Sequence, residues 1–165
     1  MDEFKNVFKD KSIGFCTLGT TRALAGSAEN FIKIDHDIPL KAATLFKESL
    51  DNKPGYFQLV TAGGSNKNSF FLYPKTKGLL EEGITNLGFS QLSIFRPGLL
   101  LLEGQERPSP RFLEGLAISF VNMIGIQTGS ISIASVAKAM RKLAEEIPTE
   151  PVKILENEEI RECSH

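Results

Sequence analysis

The 165-residue sequence predicts an α/β domain built on a parallel sheet. Two observations carry that expectation. Short, nearly all-apolar runs at residues 13–18, 56–60 and 91–95 read as strands covered on both faces. Segments of helical periodicity separate them, at 29–50 and 69–86, and strands alternating with helices are the signature of parallel-sheet architecture.

In chain order, residues 2–10 read as the end of a helix, with Phe4, Val7 and Phe8 at helical spacing. The first strand, 13–18, runs into a polar loop that extends to Gly26. The helix at 29–50 contains Pro39, which is expected to start or kink part of it. Asp51-Asn52-Lys53-Pro54-Gly55 reads as a turn into the second strand, and a glycine-bearing loop follows it at 61–68. The third strand ends in Arg96-Pro97-Gly98. Ser109-Pro110 reads as an N-cap and first helical position of a helix to about 123. An amphipathic helix is expected over 132–146, a short strand over 151–155, and a polar terminal helix or turn over 156–163. One domain accounts for the whole chain, 1–165.

Composition narrows the classes. Nineteen basic residues balance twenty acidic ones, which gives no electrostatic argument for nucleic acid or a membrane surface. The longest apolar runs, such as 99–102, are far too short to span a bilayer. The first residues lack the basic start and apolar core of a secretory leader, and two cysteines make no disulfide framework. The expected location is therefore cytoplasmic. No metal site is expected, because His36, Cys163 and His165 lack ligand spacing.

The chemistry-bearing motif is Tyr73-Pro74-Lys75-Thr76-Lys77. Positions four apart share a helix face, so Lys77 is expected to lie beneath the Tyr73 phenol. A nearby cation favours the phenolate and lowers the pKa from its ordinary value near 10, making Tyr73 a usable acid and base. Thr61, twelve residues upstream, supplies a hydroxyl to hold a carbonyl or alcohol oxygen. Cys16 reads as an inert buried thiol. Asp35, His36 and Asp37 read first as a polar helix face, with a loop position near the substrate as the alternative, and Gly63-Gly64 as loop closure, since no Lys-Ser or Lys-Thr follows as a P-loop needs.

Three phrases, 15–21 (FCTLGTT), 71–78 (FLYPKTKG) and 95–100 (FRPGLL), occur in order along the chain. Together they resemble the atypical short-chain dehydrogenase/reductases of the Tat-interacting oxidoreductase type. The resemblance runs from the first residues to about Asn157. It implies a Rossmann-type domain, NADP(H) or NAD(H) as cofactor, and a small carbonyl or alcohol substrate. It implies Tyr73 as acid/base, Lys77 as the residue that lowers its pKa and orients the ribose, and Thr61 at the position usually held by serine. Leu18, Gly19, Thr20 and Thr21 would lie beside the cofactor's ribose and phosphates, with Arg96, Pro97, Gly98 and Leu99 near the nicotinamide. Substrate-side elements would fall within 97–165. Relatives in animals are described as regulators of transcription and nuclear transport, so the resemblance implies a nuclear share as well, and a non-catalytic regulatory protein with protein partners is the alternative.

The sequence departs from that pattern at its start. A dinucleotide site uses a glycine-rich turn after the first strand, where backbone N–H groups and a helix N-terminus meet the pyrophosphate. No glycine precedes Gly14. The chain is therefore expected to be a truncated isoform, an incomplete gene model or a fragment, with cofactor binding and turnover impaired. Loss of the first strands leaves 13–18 at a sheet edge without the charge or proline that blunts such edges. Self-association through 13–18 is the expected consequence.

Overall fold

A computed structural model describes residues 7–101, 129–146 and 148–165. The helix expected at 109–123, and most of the one expected at 2–10, lie outside the described residues. Residues 7 and 8 form a single 3₁₀ turn.

Four parallel strands form the main sheet, in the order β1 (Ile13–Cys16), β2 (Tyr56–Val60), β3 (Gln91–Arg96) and β6 (Val152–Glu156). The registers are regular: Ile13 faces Tyr56, Tyr56 faces Gln91, and Leu92 faces Val152. Side chains alternate between the two faces of a strand, so each face carries its own core. On one face Phe57 and Leu59 of β2 and Leu92 and Ile94 of β3 pack with α3 (Ile38–Ser49) and α4 (Leu72–Asn86). Phe46, Phe57 and Phe89 stack within this layer at centroid distances of 5.0 to 6.0 Å. On the other face Tyr56, Phe95 and Leu155 pack with α5 (Ile133–Glu145) and α6 (Asn157–Cys163). The result is the three-layer α/β arrangement expected from the sequence.

Two elements were not expected. Leu99–Leu101 (β4) and Ser130–Ser132 (β5) pair in parallel as a separate two-stranded sheet. The helix between β1 and β2 is also interrupted. It begins as α2 (Ala28–Ile32), widens to a π-helix at Lys33–Asp37, and returns to α-helical form as α3. Pro39 explains the change. It has no N–H to donate to the carbonyl of Asp35 four residues back, and the ladder immediately before it runs i to i−5, Ile38 N–H to Lys33 O.

The strand at 13–18 is shorter than expected and is not covered on both faces. β1 pairs only with β2 among the described residues, and Phe15 is 55% exposed. An edge strand has one neighbour to bring helices over it, whereas β2 and β3 have two.

Candidate functional site

The site is assembled where the strands end. In parallel α/β sheets the loops leaving the carboxyl ends of the strands converge, and ligands bind there. Here the loop after β1 carries Gly19 and Thr20, the loop after β2 starts at Thr61, and the one after β3 carries Pro97 and Gly98. They are tied together: Gly63 N donates to Pro97 O at 2.8 Å, and Thr61 N to Phe95 O at 2.8 Å. The loop after β2 also folds back on α4, with Asn66 N donating to Pro74 O at 2.9 Å. Pro74 sits in the first turn of α4, where its missing N–H leaves no intrahelical bond unmade.

Tyr73, Lys77 and Glu81 form one stripe along α4, each four residues from the next. Lys77 Nζ lies 5.8 Å from the centroid of the Tyr73 ring, so the two residues share a face as the spacing predicts. Phe31 of α2 stacks on Tyr73 at 5.7 Å.

The ammonium is paired with a carboxylate. Lys77 Nζ is 2.6 Å from Asp35 Oδ1, and both side chains are buried, at 4% and 0% exposure. Asp35 Oδ2 accepts from Thr20 N at 2.9 Å. A Cβ added to Gly19 would meet Lys77 Nζ at 3.3 Å and Asp35 Oδ1 at 3.4 Å. A side chain at residue 19 would therefore press on the buried ion pair, which would have to give by a few tenths of an ångström. Asp35 does not belong to a polar helix face, as the sequence suggested. The π-turn before Pro39 carries it, and it is fully buried.

This changes the expected chemistry of Tyr73. Burial, and then the Asp35 carboxylate, push its phenol well above the ordinary value rather than below it. Cys16, at the end of β1, is likewise raised by burial, an effect that the Lys77 charge partly opposes.

Thr61 is buried, but its hydroxyl serves Glu81, with Oγ1 donating to Oε1 at 2.6 Å. Glu81 lies two turns along α4 from Tyr73, about 12 Å of helix rise. Arg96 is held by the same carboxylate, Nε to Oε1 at 3.1 Å and Nη2 to Oε2 at 2.6 Å, and its Nη1 reaches Glu156 at 2.9 Å. Gly98 N donates to Asn157 Oδ1 at 2.8 Å, and Leu99 opens β4. Thr21 caps the short helix α1 (Arg22–Ala25), accepting from Leu24 N at 3.2 Å, while Leu18 is 44% exposed. The structure thus brings Tyr73, Lys77, Gly19 and Thr20 together around Asp35, and Thr61 and Arg96 around Glu81. Glu81 is the residue that sequence reasoning missed, and Asp35 the one it placed first on a polar helix face. Among the described residues there is no cluster of His, Cys, Asp and Glu able to hold a metal ion. No helix there is long and apolar enough to cross a membrane.

The sheet order and a Tyr–Lys stripe at the carboxyl edge define a Rossmann-like α/β protein. The chain is 36% identical over 164 residues to protein HTATIP2 of Rattus norvegicus, covering 97% of this chain and 64% of that one. It is 31% identical over 161 residues to the mitochondrial protein fmp52-1 of Aspergillus oryzae, covering 92% of this chain and 67% of that one. It belongs to the atypical short-chain dehydrogenase/reductase family that these proteins represent. The chain therefore spans about two thirds of the length of these relatives. No family profile matches it. A dTDP-4-dehydrorhamnose reductase from Bacillus anthracis, solved in complex with NADP, aligns over 88% of this chain and 66% of its own, at 10% identity and a TM-score of 0.46.

The cytoplasmic and nuclear location expected from the sequence does not stand. Fungal relatives from several species are named mitochondrial.

Proposed function

We propose that this chain carries the acid–base half of an NAD(P)(H)-dependent oxidoreductase acting on a small carbonyl or alcohol, in a mitochondrial setting. The single observation that carries the reading is the Tyr73–Lys77 stripe, with Lys77 buried and Tyr73 half-buried, at the carboxyl edge of a parallel sheet, in a member of this family. Tyr73 holds or releases the proton at the substrate oxygen. Lys77 supplies the cation beneath it and a donor for a ribose hydroxyl. Gly19 and Thr20 offer backbone on one side and Pro97 to Leu99 on the other, while Thr61 and Arg96 act through Glu81 by fixing α4 against β2 and β3.

The residues fit the nicotinamide-ribose end of such a cofactor: three strand ends converge there, and Gly19 leaves its backbone directly against Lys77. When bound, the nicotinamide supplies the hydride, and the protein supplies orientation and electrostatics. A second reading, a non-catalytic interaction protein, is favoured by one observation, the buried Lys77–Asp35 ion pair that already engages the ammonium.

Calorimetric titration of the purified chain with NADPH and then NADH separates the two. Saturable binding that Lys77→Met weakens at least tenfold supports the oxidoreductase reading. A folded sample that takes up neither nucleotide removes it and leaves the interaction protein.

A further inference from the structure

We infer that Asn157, at the corner between β6 and α6, is a positioning residue for the site, pinning the Pro97–Gly98 peptide that a nicotinamide and its substrate would meet. The inference rests on the oxidoreductase reading for its ligand, and on geometry alone for what Asn157 holds.

Register brings this corner to the site. Arg96, the last residue of β3, pairs with Glu156, the last residue of β6. Pro97 and Asn157 therefore leave neighbouring strands at the same level. Asn157 opens α6 but does not cap it, because Glu156 and Glu159 form the capping box. Its side chain serves the loop instead, with Oδ1 accepting from Gly98 N at 2.8 Å. Asn157 is 6% exposed, and an unmet polar group at that depth is costly. The Gly98 donor fixes which end of the amide faces the loop. Nδ2 has no hydrogen-bond partner among the described residues, so Asn157 works as an acceptor.

The same peptide is held from its other side, where Pro97 O accepts from Gly63 N at 2.8 Å. A peptide unit is planar, so it cannot flip without breaking both bonds. Glycine, the least restricted residue, is where such a hold matters most. Leu99 N donates to Gly129 O at 3.0 Å, and a Cβ added to Gly129 would stand 3.2 Å from Asn157 Nδ2. The two-stranded β4–β5 sheet thus starts against the same side chain. Proline has no N–H, so every backbone donor of residues 97–99 is engaged within the protein. The loop offers a ligand acceptors and apolar surface, which suits an amide NH₂ or a hydroxyl and not a carboxylate or phosphate oxygen.

The test compares two variants of the full chain. Asn157→Leu keeps the size and loses the acceptor, whereas Asn157→Asp keeps an acceptor oxygen. Amide exchange is read by NMR at Gly98, with Ile94 of β3 as the reference for global stability. Gly98 should exchange slowly in the wild type and in Asn157→Asp, and about tenfold or more faster in Asn157→Leu, the scale of one net hydrogen bond. NADPH, titrated calorimetrically, should bind about tenfold more weakly to Asn157→Leu and within about threefold of wild type to Asn157→Asp. That rescue by aspartate is what a merely structural role, blind to the acceptor, would not produce. Free exchange of Gly98 in the wild type overturns the inference, and so does unchanged nucleotide affinity in a folded Asn157→Leu. Should Asn157→Leu fail to fold, Gly98 protection that Asn157→Asp retains upholds the inference, and free exchange in Asn157→Asp overturns it. A wild type that binds neither NADPH nor NADH removes the oxidoreductase reading, and exchange then decides the inference by itself. Protection lost only in Asn157→Leu upholds it, and equal protection in all three proteins overturns it.

Discussion

Thr61 Oγ1 donates to Glu81 Oε1 at 2.6 Å, and the same carboxylate accepts two further bonds from the Arg96 guanidinium. Three elements meet in this contact: the end of β2, the middle of α4 and the end of β3. Arg96 extends it to Glu156, which caps α6 in a reciprocal capping box with Glu159. Residues expected to face ligand instead brace the floor on which the ligand-facing residues stand.

Removing Glu81 should therefore cost stability well beyond that of a surface ion pair. Glu81→Ala leaves Arg96, itself partly buried, with one partner in place of two, and leaves the Thr61 hydroxyl only the long contact to Phe95 O at 3.4 Å. An expected loss of about 3 kcal/mol in urea unfolding follows from the cost of breaking a buried pair. Thr61→Val should cost about 1 kcal/mol. Combined with Glu81→Ala it should cost little more, since the hydroxyl's short hydrogen bond has already gone and only the 3.4 Å contact to Phe95 O is left to lose.

Gly78 is a second structural pivot. A Cβ there would stand 2.2 Å from Lys67 N and 2.5 Å from the carbonyl carbon of Asn66, both backbone atoms that cannot rotate away. Gly78→Ala must push the loop after β2 off α4 despite the better helix propensity of alanine. Thermal unfolding should show a loss of about 2–3 kcal/mol, in the range for an overpacked core. Gly83→Ala makes a useful contrast, since its closest neighbour is the flexible end of Leu40 at 3.1 Å and the expected change is under 1 kcal/mol.

The strands and the three layers were legible because burial on both faces writes a short apolar run, and β2 at Tyr56–Val60 lies where such a run falls. The Tyr73–Lys77 face was legible because helical spacing is local. What escaped depends on pairings distant in sequence. β4 and β5 are three residues each and find one another across about thirty residues, too short for a periodic signal. Glu81 meets Thr61 twenty residues away and Arg96 fifteen away. Asp35 did leave a local trace. It stands four residues before Pro39, the position whose carbonyl a helical proline deprives of its bond, and a turn widened there need not present its polar residues to water. Reading Asp35, His36 and Asp37 as one polar face assumed a regular helix through the proline.

Stability should fall on the alkaline side. Burial holds Cys16, Tyr56 and Tyr73 above their ordinary values, with the Asp35 charge adding to the effect at Tyr73. Between the unfolded and folded values of each group the native protein binds the extra proton, so unfolding becomes easier as pH rises. Below about pH 8 these groups contribute no slope, because both states are protonated. Denaturation midpoints should therefore decline from about pH 9 as the unfolded thiol ionises, and more steeply above about pH 10 as the phenols join it. Cys16→Ala should delay the onset, and Tyr73→Phe should flatten the upper part. A profile that is unchanged in both variants would mean that these groups ionise equally in the folded and unfolded chain.

The edge formed by β1 is the remaining exposed feature with a testable consequence. Its outer backbone groups have no partner strand among the described residues, and Phe15 stands 55% exposed on it. Apolar hollows lie nearby, one lined by Phe15, Ala137, Met140 and Ala144, the other by Val7, Phe8, Ile38 and Leu45. A flat, uncharged edge strand is a template for another strand, and two copies related by a two-fold axis would join their β1 strands antiparallel into one larger sheet. Light scattering should find the wild-type chain heavier than a monomer, with the excess rising with concentration. Phe15→Lys adds charge at the edge and removes an exposed ring, so it should return the chain towards monomer mass without lowering its melting temperature. Amide exchange at residues 13–16 should be slow in the associated form and fast in the variant. A wild-type monomer at high concentration, with those outward amides exchanging freely, would show that an open edge of four residues is too short to recruit a partner strand.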